Sequence, residues 1–340
     1  MFQLSNYTDF KVERSLLLDR QGSQVWVIII KGTYEVLFNS NKLKFSETQE
    51  KVNLSPIYLG EPGMSHMLRE SEMIPEHCGT DLTLNASAYS PSGKESSRVF
   101  IEVTLGSIKK TIAVTGDRRW ERSGYDSIRA GKPIPFRSMP ITWDRAYGGA
   151  VKTADGNIEA WDDRNPIGCG LLTSKGQLDG NPLPNIENPQ TLIEHPNTNP
   201  SPTGLSAIPP NWMPRKHFAG TFDANWMRNR MPICPDDFDP RHYNSAPSDL
   251  ISDPPLNGGE TVCLKNVTES GELSFRLPRA FFMVDTFITG SRIRQSVQLD
   301  RVIIEPSINK LVMVWRSSLN CGTRARLIKK SIVDIKAVLL

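Results

Sequence analysis

The densest group of ionisable side chains is the stretch PDDFDPRHYN, which sets Asp236, Asp237, Asp239 and His242 within seven residues. Carboxylates and an imidazole so spaced are the ligand types that collect a hard divalent cation, and a cation held this way activates water for hydrolysis. A metal-dependent hydrolase is therefore one reading. The stretch lacks a D-x-D-x-D-G loop with its later Glu, and Pro235 and Pro240 bracket it, so turn and cap chemistry explains the same residues. Cys169 in NPIGCG and His217 form the other thiol and base pair, but nothing in the sequence lowers the thiol pKa or brings the two together. His66, His77 and His195 complete the histidines. The signatures HExxH, GxSxG, the Walker loop and GxGxxG are all missing.

Arginine and tryptophan recur together in GDRRWER (116–122), ITWDRAYGG (141–149), NWMPRKHFAGTFDANWMRNR (211–230) and VWRSS (314–318). Guanidinium groups stack on indoles and grip carboxylates at two points, and these residue types also anchor protein interfaces. Arg118, Trp120, Trp143, Arg145, Trp212, Arg215, Trp226 and Arg228 are the candidate partner-binding residues. The same chemistry would serve to brace loops. Exposed tryptophans would instead suit a glycan-binding module. Residues 116–255 carry a net charge of −2, which argues against tracking a nucleic-acid backbone.

These residues need a framework, and proline marks where it changes. Of 25 prolines, 4 fall in residues 1–115, 19 in 116–255 and 2 in 256–340. Proline has no amide donor, so the middle segment should consist of long ordered loops with short elements, packed around its tryptophans. The flanks read as β: Val25–Phe38, Asp81–Tyr89 and a hairpin from Arg98 through Gly106-Ser107 on one side. On the other side stand Thr261–Val267, Phe281–Ile288, Ser296–Glu305 and Lys310–Ser317. The expected fold is mainly β, with two β-rich, sandwich-like lobes at 1–115 and 256–340 flanking a loop-rich 116–255 and few short helices. The tail 324–340 suits helical and strand spacing about equally.

At 340 residues the chain exceeds the roughly 250–300 residues that one core usually serves. Five scattered cysteines with no CxxC pair fit reduced thiols better than disulfides or zinc. Val25–Ile30 is too short to span a bilayer, and the opening MFQLSNYTDFKVER has no export pattern, so a cytoplasmic location without membrane contact is expected.

Taken in order, a long series of strings resembles a bacterial family of type VI secretion accessory proteins known as domain of unknown function 2169. It runs from VIIIKGTYEV (27–36) and IYLGEPGMSHMLRESEMIPEHCGTDLTLNASAY (57–89) to TGDRRW (115–120), FRSMPITWDRAYGG (136–149), NPIGCG (165–170) and LPNIENP (183–189). It continues through NWMPRKHFAGTFDANWMRNRMPICPDDFDPRHYNSAPSD (211–249) to VQLDRVIIEPSINKLVMVWRSS (297–318). Two departures are visible: His77 stands where the pattern usually has lysine, and Asn85-Ala86-Ser87 replaces a glycine-rich spot. The resemblance implies a non-catalytic cytoplasmic adaptor or chaperone, without a cofactor, that loads an effector toxin onto the spike formed by a VgrG trimer and its PAAR tip.

Overall fold

In the computed structural model, which describes residues 2–37, 42–123, 127–172, 178–198 and 200–339, the apolar run at Val25–Ile30 lies inside the strand Gln24–Leu37. Every residue of that strand from Val25 to Tyr34 is buried. Both faces are covered, which is why the sequence shows a continuous run where a half-exposed strand would alternate.

This strand is at the heart of the largest sheet. Its order is Ile251–Ser252, Thr80–Leu84, Gln298–Glu305, Lys310–Asn320, Gln24–Leu37 and Lys11–Leu18, with Lys42–Phe45 pairing the far end of Gln24–Leu37. Thr80–Leu84 and Gln298–Glu305 run parallel; the other pairs are antiparallel. A parallel pair requires a crossover, and here residues 85–297 form it. That insertion contains all of a second sheet, ordered Ile186–Glu187, Ile108–Thr115, Arg98–Leu105, Thr261–Lys265 and Glu272–Arg276. The third sheet is ordered Gln3–Asn6, Ile328–Leu339, Arg279–Ile288 and Ser291–Gln295.

The mainly β architecture is as expected. The hairpin at Gly106-Ser107 forms, with Leu105 opposite Ile108. The tail resolves as the strand Ile328–Leu339, paired on both sides. Strands from 1–115 and from 256–340 lie in the same sheet in all three cases, so the composition boundaries at 115 and 255 are not sheet boundaries. The middle segment is held by short pairs such as Trp120–Arg122 with Ile128–Ala130 and Ser138–Pro140 with Ser87–Tyr89. No helix among the described residues is long and apolar enough to cross a membrane.

One face of the large sheet, with Trp26, Ile28, Ile30, Met313 and Trp315, joins Ile101 and Val103 of the second sheet and Val284 and Val333 of the third in a single apolar cluster. The opposite face presents a smaller apolar set, Val25, Val27, Ile29, Val312 and Val314, beneath Val52 and Met73. At the centre Phe10 meets Phe282 and Trp315 edge-on, with centroids 5.0 and 5.8 Å away. The Phe10 ring lies against Gly32, where an added Cβ would come within 2.6 Å of it. Gly32→Ala should therefore overpack the core and cost about 1–3 kcal/mol in urea denaturation. Adding Phe10→Leu should recover part of that loss.

Candidate functional site

The second face of the large sheet carries buried charge. Lys31, Asp300, Arg301 and Arg316 are all almost fully buried within apolar strands. Over them lies residues 66–77, HMLRESEMIPEH, which has only the short strand Met67–Arg69 and so cannot satisfy its own backbone. The sheet's cations do it instead. Arg316 donates to the carbonyls of Glu72 (2.9 Å) and Ile74 (2.7 Å), Arg301 to that of Ser71 (2.8 Å), and the Ser318 hydroxyl to that of Pro75 (2.7 Å). The acids of the segment return the charge. Glu72 takes Lys31 at 2.8 Å and Glu70 takes Arg215 at 2.6 Å, while Arg69 reaches Glu305 at 2.7 Å. Burial pulls the Lys31 ammonium below the usual lysine value, and the adjacent Glu72 opposes that pull.

Asp81 and Arg215 connect this web to the 208–249 loop. Asp81 accepts hydrogen bonds from the Asn244 side chain (2.8 Å) and the backbone N–H of Ser245 (2.6 Å), with His77 Nε2 at 3.3 Å. Burial opposes charge on Asp81, but His77 and these donors outweigh it and hold the carboxyl well below the usual range. Arg215, on the short helix Arg215–Phe218, donates Nε to the carbonyl of His242 (3.0 Å). Trp212 is fully buried, edge-on to Trp143 at 6.2 Å. Trp143 in turn donates Nε1 to Ala207 O (2.9 Å) and its backbone N–H to His66 Nδ1 (3.2 Å).

From this base residues 220–234 form an arm. Asp223 caps the helix Ala224–Asn229 by accepting the Trp226 N–H at 2.7 Å. The Trp226 indole, edge-on to Phe222 at 4.7 Å, ties the helix to the segment that returns from it through Ile233 O at 2.8 Å. Arg230 closes the return through Cys234 O (2.9 Å) and Asp236 (3.1 Å). Locked this way, the arm leaves Phe222, Met227 and Met231 at 59, 64 and 62% exposure, with Arg228 exposed beside them. Beneath it Ile208, Pro214, Phe218 and Ile251 line an apolar cleft of about 420 Å³, and Arg241 lies at its wall with its guanidinium 4.4 Å from the centre of the Phe218 ring.

The candidate residues are thus separated by the fold. Trp226 and Arg228 are on the arm; Trp143, Trp212 and Arg215 are inside its base. Arg118 is buried against Glu187 at 2.6 Å, and that carboxylate also takes the Ile193 N–H and the Thr115 hydroxyl. Trp120 packs with Leu178, Leu183 and Ile193. Arg145, half-buried, reaches Asn185 at 3.1 Å. Trp143 and Trp212 are inside and offer no exposed ring to a glycan, whereas Trp226 is half-buried.

The expectation of a cation held by Asp236, Asp237, Asp239 and His242 is corrected. Asp236 pairs with Arg230, Asp237 accepts from Thr221 N and Oγ1 (2.9 and 2.7 Å), and Asp239 caps Pro240–Tyr243 and forks onto Arg241. His242 donates Nδ1–H to Arg215 O at 2.9 Å. Each group turns to its own structural partner, and no three His, Cys, Asp or Glu side chains gather as a metal site among the described residues. The Cys169 thiol is pushed up to about 11 by burial, the wrong direction for a nucleophile.

A family model described as an uncharacterized protein conserved in bacteria (DUF2169) matches residues 21–316, which include both the charge web and the arm. The chain belongs to this family. No curated protein and no solved structure matches it.

Sequence reasoning missed Lys31, Glu70, Glu72, Asp81, Asp300, Arg301 and Arg316 as a group. The signal was present: Lys31, Arg301 and Arg316 each interrupt an apolar strand, and RESE (69–72) is the counter-charge. Two outcomes follow for measurement. Lys31→Met leaves Glu72 buried without its ammonium and should cost about 3–5 kcal/mol, most of it recovered in Lys31→Met with Glu72→Leu, as read by chemical denaturation. His66, buried, has its pKa lowered to about 4, with Asp144 opposing weakly, while the unfolded chain keeps 6.5. The unfolded state therefore takes up the proton first, so the His66 contribution is complete above about 6.5 and is lost as pH falls towards 4, on the order of 3 kcal/mol in all. His242 is lowered in the same direction, chiefly by burial. His66→Gln should flatten the larger part of the slope in unfolding free energy across that window.

Proposed function

We propose that this DUF2169 member is a non-catalytic adaptor that holds a type VI secretion effector in the bacterial cytoplasm and helps load it onto the VgrG trimer and its PAAR tip. The partner class comes from the resemblance of its ordered motifs to secretion accessory proteins. The observation that carries the reading is the arm, which keeps Phe222, Met227 and Met231 in solvent although the fold has large apolar clusters nearby. Methionine adapts to irregular partners and aromatic side chains anchor interfaces, so such a surface takes a broad partner and releases it again. A loader also needs a mount that does not yield under load. The arm stands on Arg215, held by the His242 carbonyl and Glu70, and on Trp212, packed edge-on against Trp143, while Asp237 accepts from Thr221 where the arm begins.

Co-purification of the full chain with the effector and spike proteins encoded beside it tests the reading. The triple variant Phe222→Ala, Met227→Ala, Met231→Ala should keep its melting temperature, since these side chains are exposed. It should lose effector capture at least about tenfold, the scale of an interface anchor. Undiminished capture by the triple variant, or no complex with the unaltered chain, would sink the proposal.

A further inference from the structure

The third sheet splits. Its strand Arg279–Ile288 is paired along its length with Ile328–Leu339, but on its other side Ser291–Gln295 covers only Val284 to Ile288. At Ser296 and Val297 the chain leaves the third sheet, and from Gln298 it pairs with Lys310–Asn320 in the large one. On that side, residues 279–283 are therefore an edge with no strand beside it among the described residues. The place a neighbouring strand would occupy is open: a groove of about 700 Å³, lined by residues 279–283 and 294–299, with Pro254–Asn257 as a third wall. Phe282 and Trp315, in contact at 5.1 Å, give it an apolar floor.

The charge of this groove has one sign. Arg279, Arg294 and Lys336 line it, and no Asp or Glu does. Arg294 is already held by Asp285 at 2.8 Å, whereas Arg279 and Lys336 have no ion-pair partner among the described residues. Arg279 instead lies over the half-exposed ring of Phe281, 5.1 Å from its centre. Glu260 belongs to the adjoining cleft, where Arg276 and Arg279 also stand. A second observation is independent of charge. Gln295 lines the groove at 7% exposure; its Oε1 accepts the Thr286 hydroxyl, but its Nε2 donor has no partner. A buried donor left in this state is costly unless a ligand supplies an acceptor.

The geometry points to a docking site for an extended acidic segment of a partner protein, added as a strand to the 279–283 edge. Backbone hydrogen bonds supply the fit of such an addition, and alternate side chains supply its selectivity. Five residues of edge span about 17 Å at roughly 3.3 Å each, so a short segment suffices. One row of side chains would lie on the Phe282 and Trp315 floor, and the other would place carboxylates by Arg279 and Lys336. An open sheet edge selects a polypeptide over a nucleic acid, because only the former brings N–H and C=O groups at strand spacing. This inference does not rest on the arm or on the partner class proposed for it.

The test uses the full chain and a fluorescent ten-residue peptide of alternating Glu and Val. It should bind, and binding should weaken as salt shortens the reach of the charges. Arg279→Glu with Lys336→Glu alters only exposed side chains, so the fold should survive, as a melting curve would verify. Affinity should then drop at least about tenfold, equivalent to about 1.4 kcal/mol. Methylating alternate peptide nitrogens should abolish binding at unchanged charge. The proposal is overturned if the Glu-Val peptide does not bind, if the double variant binds it equally, if methylation has no effect, or if a single-stranded oligonucleotide of equal length binds better. None of these results bears on effector capture by the arm.

Discussion

The structure depends on three buried cations, Lys31, Arg301 and Arg316, placed in the middle of apolar strands. Charges there are costly to desolvate, and an uncompensated one would unfold a domain of ordinary stability. They persist because the segment above them has the complementary defect: carbonyls without a ladder and acids without solvent. Each side offsets part of the other's penalty, with Arg301 Nε and Nη2 left without a hydrogen-bond partner among the described residues. The pairing also dictates shape, since residues 66–77 can lie on the sheet only in the register that brings Glu72 to Lys31 and the carbonyls of Glu72 and Ile74 to Arg316.

From that constraint the rest of the site follows by contact. Glu70, held in position by the segment, fixes Arg215; Asp81, one strand away, fixes Asn244 and Ser245. These two anchors set both ends of the loop that carries the arm. The prolines of the middle segment then act as spacers without donors, so its few polar side chains have to do the tying. Glu187, Asn185 and Asp162 are examples, each buried and each hydrogen-bonded to a neighbouring arginine or a loop backbone.

Strand positions could be read from the residues because burial leaves a direct pattern: continuous in Val25–Ile30, alternating in Arg98–Leu105. Pairing partners could not, because Thr80–Leu84 and Gln298–Glu305 find each other across most of the chain and nothing local in either encodes it. The tail 324–340 was ambiguous for a related reason, its spacing being compatible with two periods until a neighbouring strand selects one. Among site residues, chemistry of type was visible and direction was not. Trp212 and Trp226 share one string, yet one is inside and the other is on the arm; Asp236 to His242 share another, yet each faces a different partner. The charge web was hidden by the opposite habit, that of treating a lone lysine or arginine in a strand as an exposed residue.

The parallel pairing of Thr80–Leu84 with Gln298–Glu305 has a consequence in time. During synthesis four strands of the large sheet, Lys11–Leu18, Gln24–Leu37, Lys42–Phe45 and Thr80–Leu84, emerge long before Gln298–Glu305 and Lys310–Asn320, so the buried faces of Gln24–Leu37 wait through the production of residues 85–297. Until Gln298–Asn320 is available, that strand lacks its neighbour Lys310–Asn320, and residues 71–75 lack the Arg301 and Arg316 donors that hold them over the sheet. Folding dominated by such distant contacts is slow and leaves sticky surface in the open. The chain would thus be most in need of protection itself while it is being made.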